Sequence, residues 1–154
     1  VMYQPVMQIP LLIFPPGGNA RIDITEPTSA VDLLPTLLKV TGGQIPAWAE
    51  GRVLPHFAEY QPQGESRDIT SVQVEKVEAG KIIAATSMCV RDHYKAVWLF
   101  GYPEIQGGGE SIELYDLDSD PEELHDLSAE NKDLAEELVG ILRLKMGELA
   151  ETYS

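Results

Sequence analysis

A short apolar run near the start of the chain places the strictest limit on its fold. Residues 11–14 read Leu-Leu-Ile-Phe without a polar residue, and the tract Pro-Pro-Gly-Gly stops the run at residues 15–18. Successive side chains of a strand point to opposite faces, so an unbroken apolar run predicts a strand that is covered on both faces, as inside an α/β sheet. We therefore predict a strand over residues 10–15 and a cover for each of its faces.

A helix predicted over residues 29–41 supplies one of these covers. Its apolar residues at helical spacing are Val31, Leu34, Leu37, Leu38 and Val40. Pro35 falls in the first turns, where its missing N–H is tolerated, and Gly42-Gly43 mark the end of the helix. One helix covers one face only, which indicates that residues 1–60 are a remnant of a larger α/β body.

The second half of the chain has a different pattern, and the tract at residues 61–66 (Gln-Pro-Gln-Gly-Glu-Ser) is the predicted boundary. Alternating or β-rich segments predict strands over residues 70–74, 82–91, 94–101 and 111–117. The dipeptide Asp92-His93 predicts a tight hairpin turn, and the glycines at 107–109 predict another turn. An amphipathic helix is predicted over residues 129–150. Residues 61–154 therefore predict an α+β module, a four-stranded antiparallel sheet packed by a long C-terminal helix.

Charge limits the partners of this chain. Its 154 residues carry 25 acids and 11 bases, a net charge of −14, and residues 110–154 alone hold 14 acids and 3 bases. Such a surface repels phosphate backbones and anionic lipid, so we expect neither a nucleic acid nor a membrane as partner. No apolar run approaches the ~18 residues of a membrane span. A solvated helix face explains the acidic run; the alternative is a free-standing acidic module that binds a basic partner.

The acids at 116, 118 and 120 invite a calcium-loop interpretation, which the following residues do not support. Such a loop also needs a glycine at its sixth position and a glutamate at its twelfth. Those positions hold Pro121 and Leu127. We predict instead a turn that ends a strand, in which aspartate side chains accept hydrogen bonds from backbone N–H groups.

The single cysteine and the three histidines are the remaining candidates for catalytic or metal-ligating residues. Cys89 lies within a predicted strand four residues before His93, which favours a buried thiol over a nucleophile with its base. His56, His93 and His125 lack the close spacing of metal ligands and are predicted surface or capping residues. The residues alone therefore predict no catalytic, cofactor-binding or metal-ligating site in this chain.

Several motifs in the second half of the chain nevertheless resemble the sulfatase family. Residues 113–127 (Glu-Leu-Tyr-Asp-Leu-Asp-Ser-Asp-Pro-Glu-Glu-Leu-His-Asp-Leu) are similar to the family's hallmark near its C-terminus, which runs E-L-Y-D-L, two variable residues, D-P, a Glu, and N-L. Asp126 replaces the usual Asn of that pattern. Tyr94-Lys95 resembles the strand that carries a Lys-Tyr pair in those enzymes.

The first half resembles the same family in three places. Residues 30–38 are similar to its v-D-l-x-P-T-L-L helix, and Glu50-Gly51-Arg52 resembles its D-G-R/K-S-L loop. Tyr3 followed by residues 9–13 (Ile-Pro-Leu-Leu-Ile) resembles its Tyr-Glu…Val-Pro-Leu-Ile-Ile strand, with Gln4 in the place of the Glu. These motifs occur in the family's order and extend over nearly the whole chain.

The resemblance implies the C-terminal portion of an enzyme of the alkaline-phosphatase-like superfamily. The parent would hydrolyse sulfate esters with a formylglycine-type nucleophile and a divalent metal, calcium or magnesium. The family's nucleophile, metal ligands and sulfate-binding lysine precede the motifs present here, so no family site residue transfers and the chain alone is expected to be inactive. Related phosphonate or phosphodiester hydrolases and transferases are the alternative parents.

The truncation predicted from the resemblance has a consequence for partners. The remainder of the parent chain is the first expected partner. Residues 10–14 would present an unpaired strand edge and apolar surface without it, which predicts a homodimer through this strand, strand exchange or repacking of the segment.

Overall fold

The structure is a computed structural model that describes residues 2–14, 17, 20–58, 66–105 and 109–152, with side chains through residue 150. The chain divides into two compact units. One contains residues 1–11 and 70–154, and the other contains residues 12–69. The predicted boundary tract lies outside the described residues except for Ser66. The division differs from the predicted one because residues 1–11 belong to the unit that holds the sheet.

The sheet unit confirms the predicted α+β architecture. Its four strands are β1 (Ile69–Glu78), β2 (Lys81–Arg91), β3 (Tyr94–Phe100) and β4 (Glu110–Asp116), and its helices are α1 (Gln4–Met7) and α3 (Lys132–Thr152). The strand order is β1-β2-β3-β4, and the β2–β3 and β3–β4 pairs are antiparallel. Each strand therefore pairs with its neighbour in the sequence, as an antiparallel meander does.

Two-residue turns set the register of the first three strands. Ala79 and Gly80 join β1 to β2 with φ of 48° and 75°. Asp92 and His93 join β2 to β3, and Arg91 pairs with Tyr94 directly beyond them. Asp92 has a φ of 54°, a left-handed conformation that aspartate tolerates better than most residues do. The predicted hairpin turn is confirmed here, whereas the glycine turn at 107–109 lies outside the described residues apart from Gly109.

Helix α3 covers one face of the sheet. The buried residues of this core are Ala85, Cys89, Ala96, Trp98, Leu114, Ala135, Leu138, Val139, Leu142 and Met146. The strand residues in this set alternate along β2 and β3, because successive side chains of a strand point to opposite faces. Cys89 is fully buried, so the prediction of a buried thiol is confirmed.

The N-terminal segment, residues 2–7, packs against the opposite face of the sheet. Met2 is 4% exposed and lies in a second buried cluster with Met88, Val97 and Tyr115. Tyr3 and Met7 pack against the same cluster. The sheet is thus covered by α3 on one face and by residues 2–7 on part of the other.

The unit of residues 12–69 contains a 3-10 turn at Ala30–Asp32 that leads into α2 (Leu33–Thr41). Gly42 ends α2 with a φ of 74°, and the N–H of Gly43 donates to the carbonyl of Leu38 at 2.7 Å. This left-handed glycine is the helix terminator that the sequence predicts. The predicted helix over residues 29–41 is therefore confirmed.

The strand predicted over residues 10–15 is not formed in the described part of that range, residues 10–14. A strand exists only where a neighbouring strand accepts and donates its backbone hydrogen bonds, and these residues have no strand beside them. Leu12 and Phe14 are 79% and 87% exposed. Pairing of this segment within a larger sheet stays a prediction.

None of the helices in the described part of the chain is long and apolar enough to span a membrane.

Candidate functional site

A polar cluster lies on the sheet face opposite α3, where the N-terminal segment crosses it. We define the polar cluster as Tyr3, Lys95, Glu113, Tyr115 and Glu123. Lys95 and Glu113 are placed on this face by the alternation of β3 and β4, whose neighbours Ala96 and Leu114 face α3. The polar cluster therefore combines Lys95, Glu113 and Tyr115 of two neighbouring strands with Tyr3 of the N-terminal segment and Glu123 of the loop after β4.

A buried ion pair forms the centre of the polar cluster. The Nζ of Lys95 lies 2.7 Å from Oε1 of Glu123, and both side chains are 0% exposed. Burial lowers the pKa of Lys95, and the neighbouring carboxylates of Glu123 and Glu113 oppose this effect. A buried pair of this kind contributes little net stability, but removal of one partner leaves an uncompensated charge in the interior.

Glu113, whose carboxylate lies close enough to Lys95 to affect its pKa, binds two tyrosine hydroxyls. Its Oε2 accepts hydrogen bonds from the hydroxyls of Tyr3 at 3.0 Å and Tyr115 at 3.1 Å. The two rings meet edge to face with centroids 6.2 Å apart. Burial raises the pKa of Tyr3 and the pKa of Tyr115, and the neighbouring Glu113 carboxylate raises both pKa values further. Both hydroxyls are therefore held as proton donors across the neutral pH range.

The loop after β4 places the side chain of Glu123 in the polar cluster. Asp120 accepts the backbone N–H groups of Leu124 at 3.1 Å and His125 at 2.8 Å. These two hydrogen bonds lower the pKa of Asp120. Glu123 itself has a φ of 56°, a strained conformation for a non-glycine residue. The loop thus holds Glu123, whose side chain is buried, in an unfavourable backbone conformation.

Aspartates of the same loop confirm the predicted turn. Asp116 Oδ1 accepts the N–H groups of Asp118 at 3.0 Å and Ser119 at 3.3 Å. Asp126 Oδ1 accepts the N–H of Leu114 at 3.0 Å and that of Ser128 at 2.8 Å. Asp116, Asp120 and Asp126 therefore serve as hydrogen-bond acceptors for groups of the fold.

Replacement of Asp126 by asparagine is expected to leave stability within about 0.5 kcal/mol of the parent chain. The asparagine side-chain oxygen accepts the same two backbone N–H groups, and its NH₂ group can donate to the Ser128 hydroxyl that now donates to Asp126. Asp126→Ala should cost about 1–3 kcal/mol because the Leu114 N–H loses its acceptor. Urea denaturation of the two variants measures the difference, and equal losses in both would show that the charge of Asp126 matters.

A cavity adjoins the polar cluster on the same face. Its volume is about 270 Å³, and Met2, Val97 and Leu99 form its apolar floor. Tyr3 and the hydrogen-bonded pair Thr86–Tyr102, with hydroxyls 2.6 Å apart, contribute its polar lining.

A second buried carboxylate, Asp32, organises the unit of residues 12–69. Its two oxygens accept hydrogen bonds from the two terminal nitrogens of Arg67 at 2.7 Å. They also accept hydrogen bonds from the backbone N–H groups of Ser29 and Arg52 at 2.8 Å. Burial by itself would raise the pKa of Asp32, but the hydrogen bonds from Arg67, Ser29 and Arg52 outweigh it and hold the pKa below its ordinary value. Asp32 thereby ties the start of α2 to the loop at residues 51–54.

Close packing of the same loop against the start of α2 explains why position 51 is occupied by glycine. A Cβ atom at this position would lie 2.0 Å from the carbonyl oxygen of Val31, a distance that no side chain permits. Thr36 completes the contact, because its hydroxyl donates to the Asp32 carbonyl at 2.6 Å and accepts the Leu54 N–H at 2.8 Å. The motifs at residues 30–38 and 50–52 are therefore two sides of one contact.

Candidate metal ligands do not cluster in the described part of the chain. Residues 2–14, 17, 20–58, 66–105 and 109–152 contain no set of three or more His, Cys, Asp or Glu side chains arranged to hold a metal ion. His56 and His125 are exposed, and His93 stacks on Tyr94 with centroids 4.2 Å apart. The polar cluster holds the Tyr3 hydroxyl against Glu113 and Lys95 against Glu123, and both contacts serve to keep segments of the chain in place.

Sequence reasoning did not identify the polar cluster as a unit. Tyr3, Lys95, Glu113 and Glu123 all fall within the motifs that carry the sulfatase resemblance, yet no role was assigned to them. One signal was available, because Lys95 stands between Tyr94 and Ala96 in a strand of otherwise apolar residues. A charge at an inward position of such a strand requires a buried partner.

Comparison with known proteins identifies the class to which this fold and these motifs belong. Two solved structures share the fold: Ps i-CgsB, with a TM-score of 0.56 at 21% identity, and a protein of Bacteroides thetaiotaomicron VPI-5482 described as a sulfatase, with a TM-score of 0.50 at 23% identity. They match 78% and 79% of this chain and 24% of their own chains. This chain therefore shares its α+β fold with about a quarter of each of these two structures.

The particular family follows from the sequence. Residues 1–152 match the model of N-sulphoglucosamine sulphohydrolase, C-terminal, and the chain belongs to this family. Arylsulfatase K of Bos taurus is 27% identical over 92% of this chain, and the uncharacterised sulfatase YidJ of Escherichia coli K12 is 29% identical over 82%. The chain spans about a quarter of the length of these relatives, 26% and 23% respectively.

Proposed function

We propose that this chain is the C-terminal part of a sulfatase-like hydrolase, in which it serves as scaffold and as one wall of the substrate cleft. The observation that carries the proposal is the family match over residues 1–152 in a chain about a quarter as long as its sulfatase relatives. The whole protein would transfer the sulfuryl group of a sulfate ester to water, so that an alcohol leaves and inorganic sulfate is formed. Its nucleophile, of the formylglycine type, would lie outside these 154 residues.

Apolar exposure in the unit of residues 12–69 supports a larger parent. Leu37 and Val40 of α2 are 62% and 54% exposed, and Leu12 and Phe14 are still more so. Exposed apolar patches of this kind mark surfaces that another part of a protein covers. The remainder of the parent chain would provide that cover, consistent with the prediction of a strand over residues 10–15.

A divalent metal, calcium or magnesium, would serve the parent as an electrophile that polarises the ester. Carboxylates and other oxygen ligands suit both ions. Four acids of residues 113–127 do not fit this role, since Asp116, Asp120 and Asp126 accept hydrogen bonds from backbone N–H groups and Glu123 faces Lys95. The proposal therefore assigns the metal ligands to the rest of the parent.

The test compares the 154-residue chain with the longer protein encoded by its gene. We expect the longer protein to hydrolyse para-nitrophenyl sulfate faster than bis(para-nitrophenyl) phosphate, and the 154-residue chain to hydrolyse neither. Cys89→Ala should leave the activity of the longer protein unchanged, because this thiol is fully buried beside α3. Turnover by the 154-residue chain that Cys89→Ala abolishes would contradict the proposal, and a preference for the phosphodiester would favour the phosphodiester alternative.

The same two proteins test self-association. Through the exposed residues 10–14, we expect the 154-residue chain to form a homodimer in analytical ultracentrifugation. The longer protein should lack this particular contact, because its own chain covers the segment. A monomeric 154-residue chain at all concentrations would contradict the proposed homodimer without affecting the assignment to the sulfatases.

A further inference from the structure

Apolar contacts hold the N-terminal segment on the sheet without fixing its position. Met2 and Met7 pack against Met88, Val97 and Tyr115. Methionine side chains are flexible and fill irregular gaps, and apolar attraction has no direction. A segment held by these contacts alone could shift along the sheet with little loss of buried area.

Two hydrogen bonds from adjacent residues remove this freedom. The hydroxyl of Tyr3 donates to Glu113, and the backbone N–H of Gln4 donates to Oε2 of Glu123. The other oxygen of Glu123 faces Lys95, and both side chains of that pair are 0% exposed. Hydrogen bonds are directional, so a shift of the segment by one residue would leave both carboxylates without these partners.

Stability alone does not account for this arrangement. Glu123 occupies a strained backbone conformation, with a φ of 56°, and two charges have been removed from water. Apolar residues of similar size would often replace such a pair without loss of stability. The best-supported use of a buried polar group is to select one register among several of similar packing.

We propose that Glu123, with Lys95 as its counter-charge, is a positioning residue that sets the register of residues 2–7 on the sheet face opposite α3. The inference goes beyond the proposed function, since it holds whichever ester the whole protein cleaves. Glu123 binds a segment of its own chain, and it does so through the backbone N–H group of Gln4.

Hydrogen exchange of the 154-residue chain, followed amide by amide by NMR, tests the proposal. In Glu123→Gln we expect the Gln4 amide to lose protection by about 10-fold or more, because the bond to a charged acceptor is lost or weakened. The control is Glu122→Gln, the exposed neighbour, which should leave protection of the Gln4 amide within about two-fold of the parent chain.

The double variant Lys95→Met/Glu123→Leu separates positioning from stability. Its apolar side chains should restore the urea midpoint to that of the parent chain, whereas the Gln4 amide should remain unprotected because leucine accepts no hydrogen bond. Parent-like protection of this amide in the double variant would overturn the proposal. A loss of protection at the Gln4 amide in the double variant that is no larger than the loss over β2–β4 would also overturn it, since Glu123 would then support the core and not the register.

Discussion

Asp32→Ala should destabilise the unit of residues 12–69 by about 3–5 kcal/mol, the usual cost of removing one partner of a buried ion pair. The Asp32 side chain is 1% exposed, and its loss leaves the Arg67 guanidinium without its carboxylate. The backbone N–H groups of Ser29 and Arg52 lose their acceptor at the same time. Hydrogen-exchange mass spectrometry of residues 29–58 measures the effect in this unit alone.

Asp23→Ala is the matched control in the same unit. Asp23 forms an ion pair with Arg21 at 2.9 Å, but the two side chains are 68% and 85% exposed. Exposed pairs contribute about 0–1 kcal/mol, so exchange of residues 29–58 should hardly change. Equal effects of the two substitutions would show that burial of Asp32 does not determine its contribution.

The same carboxylate predicts a dependence on pH. The pKa of Asp32 in the folded chain lies below its ordinary value of 3.8, so the unfolded chain binds a proton more readily than the folded chain does. The stabilisation is therefore complete above pH 3.8 and is lost as pH falls through the lower pKa of the folded state. After correction for the intrinsic pH dependence of amide exchange, the protection of residues 29–58 should fall in this acidic range in the parent chain, and less so in Asp32→Ala.

Leu142→Ala should destabilise the sheet unit by about 2–5 kcal/mol. Leu142 is 0% exposed and lies in the core between α3 and the sheet, with Leu138 one turn before it. The truncation removes buried methyl groups and leaves a cavity that the surrounding strands fill only in part. The midpoint of urea denaturation, followed by the far-UV circular dichroism of α3 and the sheet, measures the loss.

Leu144→Ala is its control on the same helix. Leu144 is 73% exposed, and alanine is the better helix former by a few tenths of a kcal/mol. We therefore expect a change of less than about 0.5 kcal/mol. A large loss from Leu144→Ala would reveal that this side chain packs against a surface that the described residues do not include.

Local patterns predicted the secondary structure well because their causes are local. Helix α3 follows from its apolar spacing, and the hairpin between β2 and β3 follows from Asp92-His93. The end of α2 follows from Gly42, whose left-handed conformation glycine adopts without cost. Residues 10–14 show the limit of this reasoning, since their apolar run requires neighbouring strands that the local sequence cannot supply.

The meander of four strands, its covering helix and the resemblance to the sulfatases are predictable from the chain alone, since alternation, turn residues and motif order lie along it. The hydrogen bond between Tyr3 and Glu113, 110 residues apart, and the contact of Lys95 with Glu123 are visible only in the folded chain. A buried charge selects its partner by distance and direction in space, and no spacing along the chain records either quantity.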